Sequence, residues 1–218
     1  MRFLIEALDG DPSGVREPNL PPLRAEVDPL LTHTAIEFLR RTYMPIEPRK
    51  QWPDGGMSQF GVTKKSTIPL QWRHEPGKVL CVWGDAGWGK LVRFGKYRDM
   101  AFSNELVAAC VSLVAHWQPA PFPTWVTAIP SLRHPTLVPD FARRLASALG
   151  LPFLMVLEKT ESRPEQKMMA NTVQQARNID GSVGLVPGQI PYGPVLLVDD
   201  MVDSKWTITV ASCLLRKH

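Results

Sequence analysis

One stretch of the chain changes abruptly from apolar to polar. Residues 195–198 are Val-Leu-Leu-Val, and such an uninterrupted apolar run predicts a strand buried on both faces, as in a parallel sheet. Two adjacent carboxylates, Asp199 and Asp200, follow it, and then a polar turn over residues 203–207. The apolar residues 208–215 predict a helix after this turn. Because a turn that enters a helix offers unpaired N–H groups to an anion, this end of the strand is predicted to bind a phosphate.

Upstream, apolar patterns alternate between the period of a strand and that of a helix. Residues 125–129 and 153–157 predict strands. Between them, residues 138–149 predict a helix that Gly150 ends, and another helix is expected near residues 166–177. This alternation is typical of an α/β fold with a doubly wound parallel sheet.

The order of the strands in such a sheet decides which loops meet. We expect residues 125–129 to form the central strand, between the strands at 153–157 and at 195–198. The winding of the chain then reverses next to the central strand, which creates a topological switch point. Loop residues 131–133 and 199–207 are therefore expected to face each other.

Prolines interrupt the first part of the chain, and residues 1–53 are predicted to be a Pro-rich linker. One helix is predicted inside it, because Asp28 is a suitable N-cap and Pro29 suits the first helical position. The apolar face of this helix would consist of Leu31, Ala35, Phe38 and Leu39.

Residues 54–98 are predicted to form a small subdomain. Two short β-type runs, residues 78–83 and 90–94, indicate a β-hairpin around a Gly-rich turn. Residues 99–218 are predicted to form the α/β domain, which opens with a helix capped by Ser103.

The Gly-rich turn imitates a nucleotide-binding motif. Gly84 to Lys90 has the spacing of a Walker A P-loop. However, Leu91 stands where the motif needs a Ser or Thr hydroxyl for Mg²⁺, and the β-type residues that follow predict no helix. We therefore predict that this segment does not bind ATP.

Composition and charge narrow the class of protein. The chain has 218 residues, a net charge of +4 and a pI of about 9.1, which suits polyanion ligands without the charge excess of a histone. Its cysteines, Cys81, Cys110 and Cys213, have no metal-ligand spacing and predict a reducing, cytoplasmic location. No apolar run approaches the length of a membrane span, so we expect no membrane partner.

The pattern of residues 195–207 resembles the phosphoribosyl-pyrophosphate (PRPP) motif of type I phosphoribosyltransferases, particularly of their ComF-like branch. Both have an apolar strand, two acidic residues, two apolar residues and a turn of the form Asp-Ser-x-x-Thr. The resemblance covers residues 95–218 and implies a doubly wound sheet of the phosphoribosyltransferase kind. It also implies that Asp199 and Asp200 hold the ribose hydroxyls, directly or as ligands of Mg²⁺.

The same resemblance assigns roles to the two facing loops. The 5′-phosphate would be wrapped by Asp203, Ser204, Lys205, Trp206 and Thr207. Pyrophosphate would be bound by Ser131, Leu132 and Arg133. Asp203 would also be the catalytic residue, near the acceptor base. The family usually has Gly where this chain has Lys205, and a left-handed conformation there would cost a non-Gly residue roughly 1 kcal/mol or more.

Two further resemblances extend the pattern. A polar stretch of ComF-like proteins is similar in order and spacing to Gln166, Asn171, Arg177 and Asn178, although these residues are equally consistent with a solvated loop. The C-terminal extension of some bacterial RecQ-type ATP-dependent DNA helicases is similar to segments 24–29, 47–53, 84–89 and 202–207. This second similarity implies an accessory domain that works with a helicase core in DNA recombination or repair.

Three functions are consistent with these patterns. The first is a binding domain for a phosphate, phosphoribosyl or nucleic-acid ligand, in which Trp52, Trp72 and Trp88 either stack on bases or fill the core. The second is an active Mg²⁺-dependent phosphoribosyltransferase that transfers ribose 5-phosphate from PRPP to a nucleobase. The third is a scaffold for protein contacts, whose polar turn binds no ligand.

Overall fold

The computed structural model describes residues 28–160, 172–188 and 190–218. The chain divides after Ala35, and residues 36–218 form one compact unit. The α-helices of the described residues are α1 (Pro29–Arg41), α2 (Gly89–Phe94), α3 (Asn104–Trp117), α4 (Leu137–Leu149), α5 (Thr172–Ile179) and α6 (Trp206–Lys217). The strands are β1 (Met44–Ile46), β2 (Gly77–Val79), β3 (Trp125–Ala128), β4 (Leu157–Lys159), β5 (Val183–Leu185) and β6 (Val195–Val198). None of the described helices combines the length and the apolar content needed to cross a membrane.

β3 lies at the centre of a small parallel arrangement. It pairs in parallel with β6 over its whole length, from Trp125 to Ala128. On its other side, Phe153 forms a parallel bridge to Val126. The predicted adjacency of the central strands is confirmed, and the molecule has the expected mixture of helices with a small parallel sheet.

The second predicted strand joins this arrangement at one residue only. After the Phe153 bridge the chain leaves β3, and β4 pairs antiparallel with β5 instead. Because β5 satisfies the backbone groups of β4, these residues need no partner in the parallel sheet.

Side chains of β3 alternate between two core clusters. Trp125 packs in one cluster with Trp206 of α6, and Val126 packs in the other with Phe141 of α4. All residues of β3 are buried, as expected for a strand that is covered on both faces. In β6 only Val198 is buried, because among the described residues β6 pairs with β3 alone and its other edge is open.

The predicted helix ends are confirmed at three places. The carboxylate of Asp28 accepts a hydrogen bond of 2.8 Å from the first turn of α1. Ser103 caps α3, and Gly150 ends α4 in the left-handed conformation, with φ 69°. The predicted apolar face of α1 is not buried, since Leu31 is 64% and Phe38 is 69% exposed.

The predicted hairpin of residues 78–83 and 90–94 is wrong, because β2 pairs with β1 and α2 replaces the second strand. Asp85 explains the difference, since its carboxylate binds the backbone of its own turn. It accepts hydrogen bonds of 2.8–2.9 Å from the N–H groups of Val82, Gly87 and Gly89. A Cβ on Gly89 would lie 2.3 Å from the carbonyl O of Val82, so this tight turn requires glycine there.

Candidate phosphate-binding site

The two loops that were predicted to face each other leave the same edge of the sheet. β3 and β6 run in parallel, and the N–H of Ile129 donates a hydrogen bond of 2.9 Å to the carbonyl O of Val198. Residues 131–133 and 199–207 therefore begin side by side. This edge is formed by the carboxyl ends of the strands, where ligands of α/β proteins bind.

The predicted site residues of the loop after β3 differ in their contacts and in their exposure to solvent. The hydroxyl of Ser131 accepts a hydrogen bond of 3.2 Å from the N–H of His134, so it stabilises the loop's own turn. Leu132 is 50% exposed, and Arg133 is exposed as well. The structure thus places all three predicted pyrophosphate-binding residues at the sheet edge, with Arg133 as the cation among them.

The turn after β6 enters α6 without a side-chain cap. The first hydrogen bond of α6 joins the N–H of Thr209 to the carbonyl O of Lys205 at 2.9 Å, so the N–H groups of Thr207 and Ile208 have no partner within the helix. In the part of the chain that the structure describes, no protein group hydrogen-bonds the hydroxyl of Ser204 or that of Thr207. Unpaired N–H groups and hydroxyls at a helix start can hold an anion.

Lys205 adopts a left-handed conformation, which a glycine would favour. Its φ is 66° and its ψ is 0°. A residue with a Cβ loses about 1–2 kcal/mol in this conformation. The Nζ of Lys205 donates a hydrogen bond of 3.2 Å to the carbonyl O of Glu47.

Arg49 braces the same turn from the N-terminal half of the sequence. Its Nε and Nη2 atoms donate hydrogen bonds of 3.0 and 2.6 Å to the carbonyl O of Ser204. Its guanidinium lies 4.0 Å from the ring centre of Trp206, which is 1% exposed. Burial lowers the pKa of Arg49. Segment 47–53 stands out in the sequence, but nothing in it predicts a contact with residue 204.

A cation from upstream holds the acidic pair at the end of β6. Nζ of Lys96 lies 2.9 Å from Oδ2 of Asp200, and both side chains are only 12% exposed. The N–H of Asp200 donates a hydrogen bond of 2.9 Å to Oδ1 of Asp199. Desolvation, together with the charge of Asp200, raises the pKa of Asp199 to about 7. No sequence motif identifies Lys96, which lies in a π-helical turn over Gly95–Asp99.

The donors of this pair do not fit a resident Mg²⁺ ion. Mg²⁺ prefers oxygen ligands in octahedral geometry, with carboxylates in the ionised form. An oxygen of Asp200 already binds an ammonium group, and Asp199 keeps its proton up to about neutral pH. Asp203 is exposed. Among the described residues, no group of three or more His, Cys, Asp or Glu side chains could hold a metal ion.

The other polar residues of the resemblance lie elsewhere or outside the described residues. Gln166 and Asn171 are outside them, as are residues 24–27 of the first RecQ-like segment. Arg177 lies in α5, and a Cβ on Gly55 would be 3.2 Å from its Nε. Arg177 therefore packs beside residue 55.

The tryptophans that were candidates for base stacking are engaged inside the protein. Trp52 is 1% exposed and stacks on Phe60 at 5.1 Å, so it belongs to the core. Trp72 packs against the same cluster, and the indole N–H of Trp88 donates a hydrogen bond of 3.1 Å to the backbone. The exposed tryptophan is Trp83, at 42%, which the sequence did not single out.

Trp83 belongs to an exposed aromatic pair, and the basic residue Arg98 follows the second member of the pair in sequence. Its ring meets that of Tyr97, which is 49% exposed, edge to face at 5.7 Å. Arg98 lies 4.4 Å from the ring centre of Phe94, although its guanidinium also pairs with Asp99. Aromatic rings beside cations are the arrangement on which nucleic-acid bases stack.

The Gly84–Lys90 turn offers little room to a phosphate. A helix, α2, follows it, contrary to the prediction, but the carboxylate of Asp85 occupies the N–H groups of Gly87 and Gly89. A bound carboxylate competes with a phosphate for the same donors. The absence of ATP binding stays a prediction, now with this physical reason beside the missing hydroxyl at Leu91.

No family model, curated protein or solved structure matches this chain. The family resemblance therefore depends on the motif residues alone. The function has to be argued from the geometry at the edge of the sheet.

Proposed function

We propose that this chain is a phosphoribosyltransferase-like accessory domain that binds a phosphate or phosphoribosyl ligand and serves a RecQ-type DNA helicase in recombination or repair. The observation that carries the proposal is the uncapped start of α6 at the carboxyl edge of the β3–β6 pair. The N–H groups of Thr207 and Ile208, which have no partner within α6, and the nearby hydroxyls of Ser204 and Thr207 match the needs of a phosphate.

The charges around the turn support an anionic ligand. Arg49 lies directly behind the turn, and the ammonium of Lys205 lies beside it. Both are anchored to backbone carbonyl groups, so they add positive potential without blocking the N–H groups of α6. The dipole of α6, a helix of 12 residues, adds to this potential at its N-terminus.

The contacts of Arg49 also support the RecQ-like part of the proposal. Segments 47–53 and 202–207 are far apart in the chain, yet Arg49 and Glu47 of the first bind Ser204 and Lys205 of the second. Residues that resemble one extension thus form one structural unit. The Trp83–Tyr97 surface would serve the nucleic-acid part of this function.

An active Mg²⁺-dependent phosphoribosyltransferase is the second candidate. The exposed carboxylate of Asp203 favours it, since a side chain at the mouth of the site could address an acceptor base. Its chemistry would need carboxylates beside the developing charge on ribose and donors beside pyrophosphate. The strained backbone of Lys205 and the occupied carboxylate of Asp200 favour binding over turnover.

Calorimetric titration with inorganic phosphate and ribose 5-phosphate tests the proposal. We expect both to bind, and the double variant Ser204→Ala with Thr207→Ala to weaken binding by about 1–3 kcal/mol, the usual cost of lost hydrogen bonds to a charged group. A folded protein that binds neither compound at millimolar concentration would refute a ligand site. Release of pyrophosphate from PRPP in the presence of a nucleobase would instead establish the enzyme.

A further inference from the structure

The acidic pair at the end of β6 already has a cation. The ammonium of Lys96 lies 2.9 Å from Oδ2 of Asp200, and neither side chain is more than 12% exposed. An ion pair that is shielded from water holds its geometry, because separating the two charges would leave each without a partner in a low dielectric. Lys96 is thus a fixed feature of the site.

The backbone around Lys96 is built to hold it there. A Cβ on Gly95 would lie 2.7 Å from the ring of Phe102 and 2.9 Å from the carbonyl O of Ala101. Glycine therefore lets the π-helical turn pack closely against the residues that precede α3. The Asp85 turn precedes α2, and α2 leads directly into this π-helical turn.

We propose that Lys96 replaces the divalent cation at this site, so that a phosphoribosyl ligand binds here without a metal ion. The inference rests on the proposed phosphoribosyl site. An ammonium group has three N–H donors, and the bond to Asp200 uses one of them. The remaining donors are suited to a ribose hydroxyl or a phosphate oxygen, which are the groups that a bound Mg²⁺ would otherwise address.

Electrostatic repulsion disfavours the binding of Mg²⁺ while the ammonium group of Lys96 contacts Asp200. A Mg²⁺ ion on Asp200 would lie next to the ammonium group and be repelled by it. Mg²⁺ also loses its hydration water reluctantly, so a neutralised carboxylate gives it little reason to bind. The pair of Asp200 and Lys96 has no net charge, and a free dication gains nothing by displacing the lysine.

Titration of the full chain with ribose 5-phosphate, in EDTA and in millimolar Mg²⁺, tests the inference. We expect the dissociation constants in the two conditions to agree within about twofold, because the cation that contacts the ligand is Lys96 and not Mg²⁺. Binding that Mg²⁺ strengthens tenfold or more would overturn the inference and leave the proposed function intact. Failure of both ribose 5-phosphate and inorganic phosphate to bind would overturn both.

The variant Lys96→Met removes the charge and keeps the length of the side chain. In EDTA we expect it to bind ribose 5-phosphate at least about tenfold more weakly, as for a lost hydrogen bond to a charged group. Mg²⁺ should restore binding, because Asp200 is then free to hold it. Inorganic phosphate, which needs only the turn before α6, should bind as in the wild type.

Lys90→Met is the matched control, since Lys90 is an exposed lysine of α2 in the same segment. It should leave all titrations unchanged. Equal metal-free binding of ribose 5-phosphate by Lys96→Met and the wild type would overturn the inference. The wild-type comparison in EDTA and Mg²⁺ decides the question even where the Lys96→Met variant fails to fold.

Discussion

Lys205→Gly should relieve strain in the turn before α6. Lys205 has φ 66°, where a residue with a Cβ loses about 1–2 kcal/mol relative to glycine. Glycine also makes the unfolded chain more flexible, which costs about 0.4–1 kcal/mol of stability. The substitution removes the hydrogen bond from Nζ to the carbonyl O of Glu47 as well. Lys205→Ala loses that bond too but keeps the strain, so the comparison of the two variants isolates the backbone effect.

We expect Lys205→Gly to be more stable than Lys205→Ala by roughly 0.5–1 kcal/mol, measured by urea denaturation. The same pair of substitutions at Ser147, an exposed residue of α4, is the control. Glycine should be the less stable variant there, by about 1 kcal/mol, because a helical φ gives it no advantage. A Gly variant at position 205 that is no more stable than the Ala variant would refute the claim that this backbone is strained.

Three other outcomes follow from the site. The pKa of Asp199 is raised to about 7, so the folded state binds this proton more tightly than the unfolded state. The free energy of unfolding should therefore fall as pH rises from about 4 to 7. In denaturation measured across this pH range, Asp199→Asn should abolish the fall. Arg49→Ala should destabilise the protein by about 2 kcal/mol in urea, whereas Arg49→Lys should recover only part of this, since it lacks the paired donors and the flat group over Trp206. Single-stranded oligothymidine should bind weakly and lose affinity as the salt concentration rises. In fluorescence anisotropy, Trp83→Ala should weaken this binding severalfold, whereas the control Tyr192→Ala, at a residue that is 98% exposed, should leave it unchanged. Tight binding at high salt would contradict an electrostatic mode of binding.

Local patterns predicted the part of the fold that carries the turn. The apolar run at 125–129 and the one at 195–198 each specify a strand, and the polar residues that follow specify where each strand ends. Parallel pairing of β3 and β6 then follows from the helices between them. The mixed α/β class and the place of residues 131–133 and 199–207 could therefore be argued from the sequence.

The wrong prediction of a β-hairpin at residues 78–94 has a local cause, which is a set of side-chain hydrogen bonds. The alternation there resembles β-structure, but one carboxylate, that of Asp85, binds three N–H groups and folds the segment into a turn before α2. Hydrophobic periodicity carries no information on such bonds. A Gly-rich segment is where they are easiest to form, because glycine allows the close approach of backbone to carboxylate.

Two cations of the site, Arg49 and Lys96, could not be predicted, because their contacts join distant parts of the chain. Arg49 reaches Ser204 across 155 positions of sequence, and Lys96 reaches Asp200 from another element. Each of the two residues looks like an ordinary surface charge in the sequence. Only the packed structure brings them to the turn and the acidic pair.

The contacts of Arg49 and Lys96 affect how the site can bind an anion. The PRPP-like motif itself has the carboxyl groups of Asp199, Asp200 and Asp203 and only one cation, Lys205. Even with Asp199 protonated, two carboxylates outnumber that cation, so the motif alone would repel a phosphate. Lys96 neutralises Asp200, and Arg49 adds a guanidinium behind the turn. Part of the positive charge that the ligand requires therefore comes from residues upstream of the α/β region. The segments around Arg49 and Lys96 are therefore parts of the site: Arg49 contacts the turn that would bind the phosphate, and Lys96 contacts the acidic pair that would address the ribose.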